Sequence, residues 1–260
     1  MASEYKENNV TARFNNKCVY VTGAASGMGR ATAIKFGGEG ATVYCVDLNA
    51  DGADQTAHAI SQVGGKAHAA AVDITDGNAC RQSIAAAVEV MGGLDILCNV
   101  AGLGGIAPLE DETDEGWLRA MAVNANGPFF LSQAAIPHLL ESRGTIINVG
   151  STAGLQGQAY MSSYVASKHA IIGLTKTLAL EFGRRGLRVN AVCPGGTKTA
   201  FLKGFRIDDK IDLSLIGRTS LLEEMAEPED MAHSICFLAS EEARFANGAI
   251  LSVDGGSVAG

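Results

Sequence analysis

The chain has 260 residues, 47% of them hydrophobic, enough for one large buried core and a normal length for a single α/β domain. Its formal net charge of −8 argues against nucleic acid or an anionic membrane surface as the main partner. The six cysteines form no Cys-x-x-Cys and the five histidines no His-x-x-x-His, so free thiols and no metal site are expected.

Residues 1–16 are polar and read as a flexible extension without a signal core, and no apolar run reaches membrane-spanning length. A cytoplasmic protein is the expectation. Residues 18–22 then form a short β-branched run, followed at once by Gly23-Ala-Ala-Ser-Gly27-Met-Gly29 and a helix-like stretch over 30–36. Strand, glycine turn and helix in that order suit a dinucleotide, because glycines let the backbone approach a pyrophosphate held at the helix N-terminus. A second strand over 41–47 ends at Asp47, at about the 20-residue spacing where an acid meets the ribose hydroxyls of NAD. Leu48, Asn49 and Ala50 bring no cation for a 2′-phosphate, so NAD is favoured over NADP.

The alternation continues through a helix over 53–63, a strand over 67–72, a helix over 78–91 and a strand over 94–99. A long helix is expected over 115–141, with Asn124 inside it. A strand over 146–149 leads to Ser151, and a helix over 162–181 carries Tyr164 and Lys168. A strand over 187–193, a helix over 228–238 and a strand over 249–253 complete the chain. Repeated βα units of this length imply a parallel sheet covered on both faces: a Rossmann-like, doubly wound α/β fold in one domain spanning 17–260.

Tyr164 and Lys168 lie one helical turn apart on the same face. An ammonium so placed is expected to lower the phenol's pKa from about 10, making Tyr164 a general acid/base. The same spacing also fits an exposed surface pair. Ser151 sits at a strand's carboxyl end, where open α/β sheets bind ligands.

Taken together, Thr22-Gly-Ala-Ala-Ser-Gly-Met-Gly29, Asp73, Asn99-Val-Ala-Gly102, Asn124, Ser151, Tyr164-Val-Ala-Ser-Lys168 and Pro194-Gly195 closely resemble the short-chain dehydrogenase/reductase family over nearly all of residues 17–260. The resemblance implies a catalytic set of Asn124, Ser151, Tyr164 and Lys168. In it Ser151 holds the substrate oxygen, Lys168 also holds the nicotinamide ribose, and Asn124 keeps a relay water. It further implies cofactor contacts from Gly23, Ser26, Gly27, Met28, Gly29, Asp47 and Leu48, from Asp73 and Ile74 beside the adenine, and from Asn99, Ala101 and Gly102. Pro194, Gly195, Thr197 and Thr199 are implied at the nicotinamide end, where Thr197 replaces a frequent aliphatic residue.

The reading is an NAD-dependent oxidoreductase interconverting a neutral, hydrophobic secondary alcohol and its ketone, in a homotetramer. The region from Ser151 to Lys168 also resembles that of bacterial hydroxysteroid dehydrogenases. A substrate lid is expected over 200–225, with 103–109 and 155–161 lining the cleft. Two alternatives stay open: an NADPH-dependent 3-oxoacyl-type ketoreductase, disfavoured by Asp47, and a non-catalytic cofactor-binding regulator, disfavoured by the intact Ser151, Tyr164 and Lys168.

Overall fold

The structure, a computed structural model, describes residues 12–199, 209–216, 221–222 and 224–259. Within them seven strands form one sheet: β1 (Cys18–Thr22), β2 (Thr42–Asp47), β3 (Lys66–Ala71), β4 (Ile96–Asn99), β5 (Thr145–Val149), β6 (Arg188–Pro194) and β7 (Ile250–Val253). The helices are α1 (Gly27–Gly38), α2 (Ala50–Gln62), α3 (Gly77–Met91), α4 (Asp114–Met121), α5 (Gly127–Ser142), α6 (Ser162–Phe182) and α7 (Pro228–Ala239). All strand pairs are parallel, in the order β3-β2-β1-β4-β5-β6-β7. The order reverses between β1 and β4, and such a switch point leaves a crevice beyond the strand ends.

The period of two along each strand sorts its side chains onto two cores. Val19 and Val21 of β1 face the layer that holds Phe36 of α1, Ile60 of α2 and Ile235 of α7. Tyr20 between them faces Ile84 of α3 and Leu131 of α5 on the opposite side. In β5, Ile147 and Val149 join the first core and Ile146 the second. Burial on both faces explains why these strands read as continuous apolar runs. The doubly wound, single-domain fold is the one expected.

Two expectations need correction. The flexible extension ends before residue 17. Phe14 is 2% exposed and packs edge-on against Phe36 at 4.6 Å, while Arg13 Nε donates to Glu39 Oε2 at 2.6 Å. Burying a phenylalanine is worth about 1.5–3 kcal/mol, so these residues belong to the folded domain. Residues 1–11 lie outside the described residues.

The second concerns the helix expected over 115–141, which is two helices joined by a π turn over Ala122–Asn126. Pro128 is the physical cause: it has no N–H to give the Asn124 carbonyl four residues back. The Gly127 N–H donates instead to the Ala122 carbonyl, five residues back, and the widened turn swings Asn124 inward. Much of the expected lid over 200–225 lies outside the described residues. Its described part includes a short turn over Leu213–Leu215.

Candidate active site

The strand ends at the switch point open onto a cavity of about 810 Å3. Below it, the last residue of β1, Thr22, is buried: its Oγ1 accepts from the Val100 and Ala101 N–H groups at 2.9 and 3.0 Å, tying β1 to the chain beyond β4. Gly23 has φ +69°, which L side chains rarely adopt, and a Cβ on Gly29 would lie 2.1 Å from the Gly23 carbonyl oxygen. The turn therefore closes only with glycine at both positions.

Helix α1 starts there without a cap. The Ser26 side chain makes no cap hydrogen bond, and no acid stands in the first turn. Free N–H groups, an idle hydroxyl and the positive end of the helix dipole suit a bound phosphate. This is the local fit that a dinucleotide requires.

Asp47 ends β2 on the cavity wall beside the exposed Leu48. Its Oδ2 accepts from Ala25 N–H at 3.0 Å and its Oδ1 from Asn49 N–H at 2.9 Å, which pins the carboxylate while leaving lone pairs free. Asp73 and Ile74 also line the cavity. Hydrogen bonds from the Thr75 hydroxyl and N–H hold the Asp73 carboxyl below its ordinary pKa. Val46, Val72 and Arg119 line the cavity too and were not anticipated.

Of the expected site residues, Asn99 and Asn124 do not line the cavity. Asn99 is buried, and its Nδ2 donates to Asn148 Oδ1 at 2.9 Å, a bridge between paired positions of β4 and β5. Its side chain is structural, and the cavity lining at this corner falls to Val100, Ala101 and Gly102. Asn124 is committed behind the wall: Nδ2 donates to the Leu103 carbonyl at 2.8 Å and to Ser167 Oγ at 3.0 Å, and Oδ1 accepts from Leu103 N–H at 2.9 Å.

Ser151, Tyr164 and Lys168 do come together. Ser151 follows β5, its Oγ accepting from Ala153 N–H at 3.1 Å, and its hydroxyl is hydrogen-bonded to that of Tyr164. Tyr164 is 9% exposed and Lys168 4%, so the surface-pair reading is excluded. Lys168 Nζ lies 5.7 Å from the Tyr164 ring centroid and donates to the Val149 carbonyl at 2.8 Å.

The expected downward shift of the Tyr164 pKa is not what this geometry produces. Burial pushes the phenol above its ordinary value, and the Ser151 bond opposes this only in part. The lysine is sunk in the same wall, where burial pulls its pKa from 10.5 to about 8. Desolvation is the largest cause for both neighbours.

The Lys168 shift has a thermodynamic sign. Below pH 8 the side chain is charged both folded and unfolded, and the fold bears the full desolvation; above pH 10.5 it is neutral in both. Stability from this group therefore rises with pH between those values and is lowest at neutral pH. Lys168→Met should raise the cofactor-free melting temperature at pH 7, by up to roughly 3 kcal/mol of stability less the lost Val149 bond, with the gain fading towards pH 10.5. Thermal melts at both pH values check this, and a lower midpoint at pH 7 would contradict it.

At the far end of the cavity, Pro194 and Gly195 leave β6, and Thr197 Oγ1 donates to the Gly195 carbonyl at 3.3 Å. A Cβ on Gly27 would touch Thr199 Cγ2 at 3.2 Å, so the glycine turn and the strand-six loop meet across the crevice. The expected cleft walls are present as Leu103, Ile106, Gln156, Gly157, Gln158, Ala159 and Met161, joined by Leu215 and Ile216. Among the described residues no group of three His, Cys, Asp or Glu could hold a metal ion, and no helix is long and apolar enough to cross a membrane.

Residues 23–257 match the family described as enoyl-(acyl carrier protein) reductase. The chain is 38% identical over 250 residues to the meso-2,3-butanediol dehydrogenase of Serratia marcescens, covering 95% of this chain and 96% of that protein. It is 36% identical over 245 residues to the cyclohexanol dehydrogenase of an Acinetobacter species, covering 94% and 95%. The fold matches that of a short-chain dehydrogenase from Mycobacterium paratuberculosis bound to NAD with a TM-score of 0.85, at 31% identity, over 94% of this chain and 98% of that one. With its sheet order, glycine turn and buried Ser151, Tyr164 and Lys168, the chain belongs to the short-chain dehydrogenase/reductase family.

Proposed function

We propose that this protein is an NAD-dependent oxidoreductase interconverting a secondary alcohol and a ketone, with Tyr164 as the proton donor and acceptor. The observation that carries the reading is the buried Ser151–Tyr164 hydroxyl pair beside Lys168, in one cavity with a free helix N-terminus and a pinned carboxylate. The butanediol and cyclohexanol dehydrogenases among its relatives, and the NAD-bound neighbour, support the same class.

Bound NAD supplies the hydride acceptor and, when oxidised, a positive ring charge. The chain's own residues handle the proton. In oxidation the Tyr164 phenolate takes the hydroxyl proton as the carbinol hydride leaves, and the Ser151 hydroxyl fixes the substrate oxygen. In reduction the protonated phenol gives its proton to the carbonyl oxygen. Lys168 stabilises the anionic phenol electrostatically. Asn124 is a positioning residue: its side chain is committed to protein partners, so a relay water would sit on the main-chain carbonyl that Pro128 deprives of its helical donor.

The test is an absorbance trace at the nicotinamide wavelength, with NAD and acyclic, cyclic and steroidal secondary alcohols, and the reverse with NADH and ketones. Reduced cofactor from at least one alcohol is the expected outcome. No change in either direction would contradict the reading.

A homotetramer is part of the same proposal. Leu118 of α4, Phe129 of α5 and Leu180 of α6 are exposed, and among the described residues no second domain covers those faces. Sedimentation at micromolar concentration should give four times the chain mass, and a monomer would contradict it.

A further inference from the structure

We propose that Thr152 and Gln158 form a second polar subsite beside the reacting centre. The substrate it fits carries another oxygen on the carbon next to the carbinol, as in a vicinal diol or an α-hydroxy ketone. This rests on the oxidoreductase reading above and narrows it.

Beyond Ser151 and Tyr164 the cavity is walled by Leu103, Ile106, Met161, Leu215 and Ile216. Such a wall accepts hydrocarbon, and a polar side chain within it needs a partner. Thr152 follows Ser151 directly, so their Cα atoms are about 3.8 Å apart, and it is itself buried. Gln158 is half-buried on the same wall, and its Nε2 donates to Thr152 Oγ1 at 3.3 Å. That contact uses one N–H of the amide. The second N–H, Oε1 and the Thr152 hydroxyl proton have no partner among the described residues. Either orientation of the amide leaves a donor and an acceptor for a ligand.

The loop that carries Gln158 is held in an unusual conformation. Tyr160 has φ 64°, the left-handed region that a bulky side chain rarely enters. Its carbonyl accepts from Ala107 N–H at 2.8 Å, which fastens the Gln158 loop to the segment that carries Leu103 and Ile106. Backbone strain of this kind persists where surrounding contacts impose it, and it concentrates at binding sites. The chemistry is that of a neutral oxygen. An amide and a hydroxyl match a second hydroxyl or carbonyl, and Arg119, the one arginine on the cavity wall among the described residues, stands near Asp73 instead.

The test compares kcat/KM with NAD for two matched pairs: cyclohexanol against cis- and trans-1,2-cyclohexanediol, and 2-butanol against 2,3-butanediol. One added hydrogen bond at a half-buried amide predicts a preference of about tenfold for a diol in at least one pair. In Gln158→Leu and in Thr152→Val that ratio should fall towards one, while NAD affinity, read by calorimetric titration, stays as in the parent. The second variant keeps the test alive if the first does not fold. Equal kcat/KM within both pairs, or a diol preference that survives both substitutions, overturns the subsite alone. No turnover of any of these alcohols overturns the oxidoreductase reading and the subsite with it.

Discussion

Tyr164→Phe should bind NAD almost as the parent does and lose about a thousandfold in turnover, the middle of the range for removing a positioned acid/base. The ring still fills its pocket against the buried wall, so folding is preserved, while the one hydroxyl bonded to Ser151 is gone. The direction of the phenol's shift adds a pH signature. Burial holds Tyr164 protonated at neutral pH. Oxidation needs the phenolate and should accelerate as pH rises, whereas reduction needs the phenol and should slow. Initial rates of parent and variant in both directions across that range check the assignment. Residual activity within tenfold of the parent would remove Tyr164 from the role.

The second large effect is cofactor choice. NAD should exceed NADP by at least about a hundredfold in kcat/KM, and Asp47→Ala should shrink that ratio mainly by improving NADP. Charge-assisted hydrogen bonds from two ribose hydroxyls contribute about 1.5–3 kcal/mol each. A 2′-phosphate removes one donor and sets like charges together, repelling by roughly 4 kcal/mol at 4 Å and an effective dielectric of about 20, before screening. The carboxylate cannot swing away freely, since Ala25 and Asn49 N–H groups hold both oxygens. Arg30, the one cation in the glycine-turn region, is half-buried with Nη1 3.4 Å from Thr56 Oγ1 and does not line the cavity. Steady-state kinetics with both cofactors decide it. Comparable efficiency with NAD and NADP in the parent would move the ketoreductase alternative to first place.

Much of this fold is legible from residues alone, because most strands are β-branched runs bounded by glycine, aspartate or proline. The glycine turn and Asp47 are likewise readable from local spacing. Most of the misses share one physical origin: partners distant in sequence. Asn99 sits at a strand end beside the glycine-containing corner, yet its amide bonds Asn148 across the sheet, a pairing that register alone creates. Phe14 lies in a polar stretch, and only Phe36 makes it a core residue. The helix break at Asn124 was readable, since Pro128 removes the donor, but the apolar period on both sides masks it. The Tyr164–Lys168 spacing is visible, whereas the burial that reverses the phenol's expected shift depends on the assembled wall. Gln158 next to Thr152 is no motif at all.

The central claim is that hydride leaves a carbinol carbon for NAD at this site. It is tested most directly with a secondary alcohol deuterated at that carbon, chosen from whichever substrate gives the fastest trace. Mass spectrometry of the reduced nicotinamide should find one deuterium gained per turnover, with the matching ketone as product. Reduced cofactor without the label, or ketone formed without reduced cofactor, would contradict it.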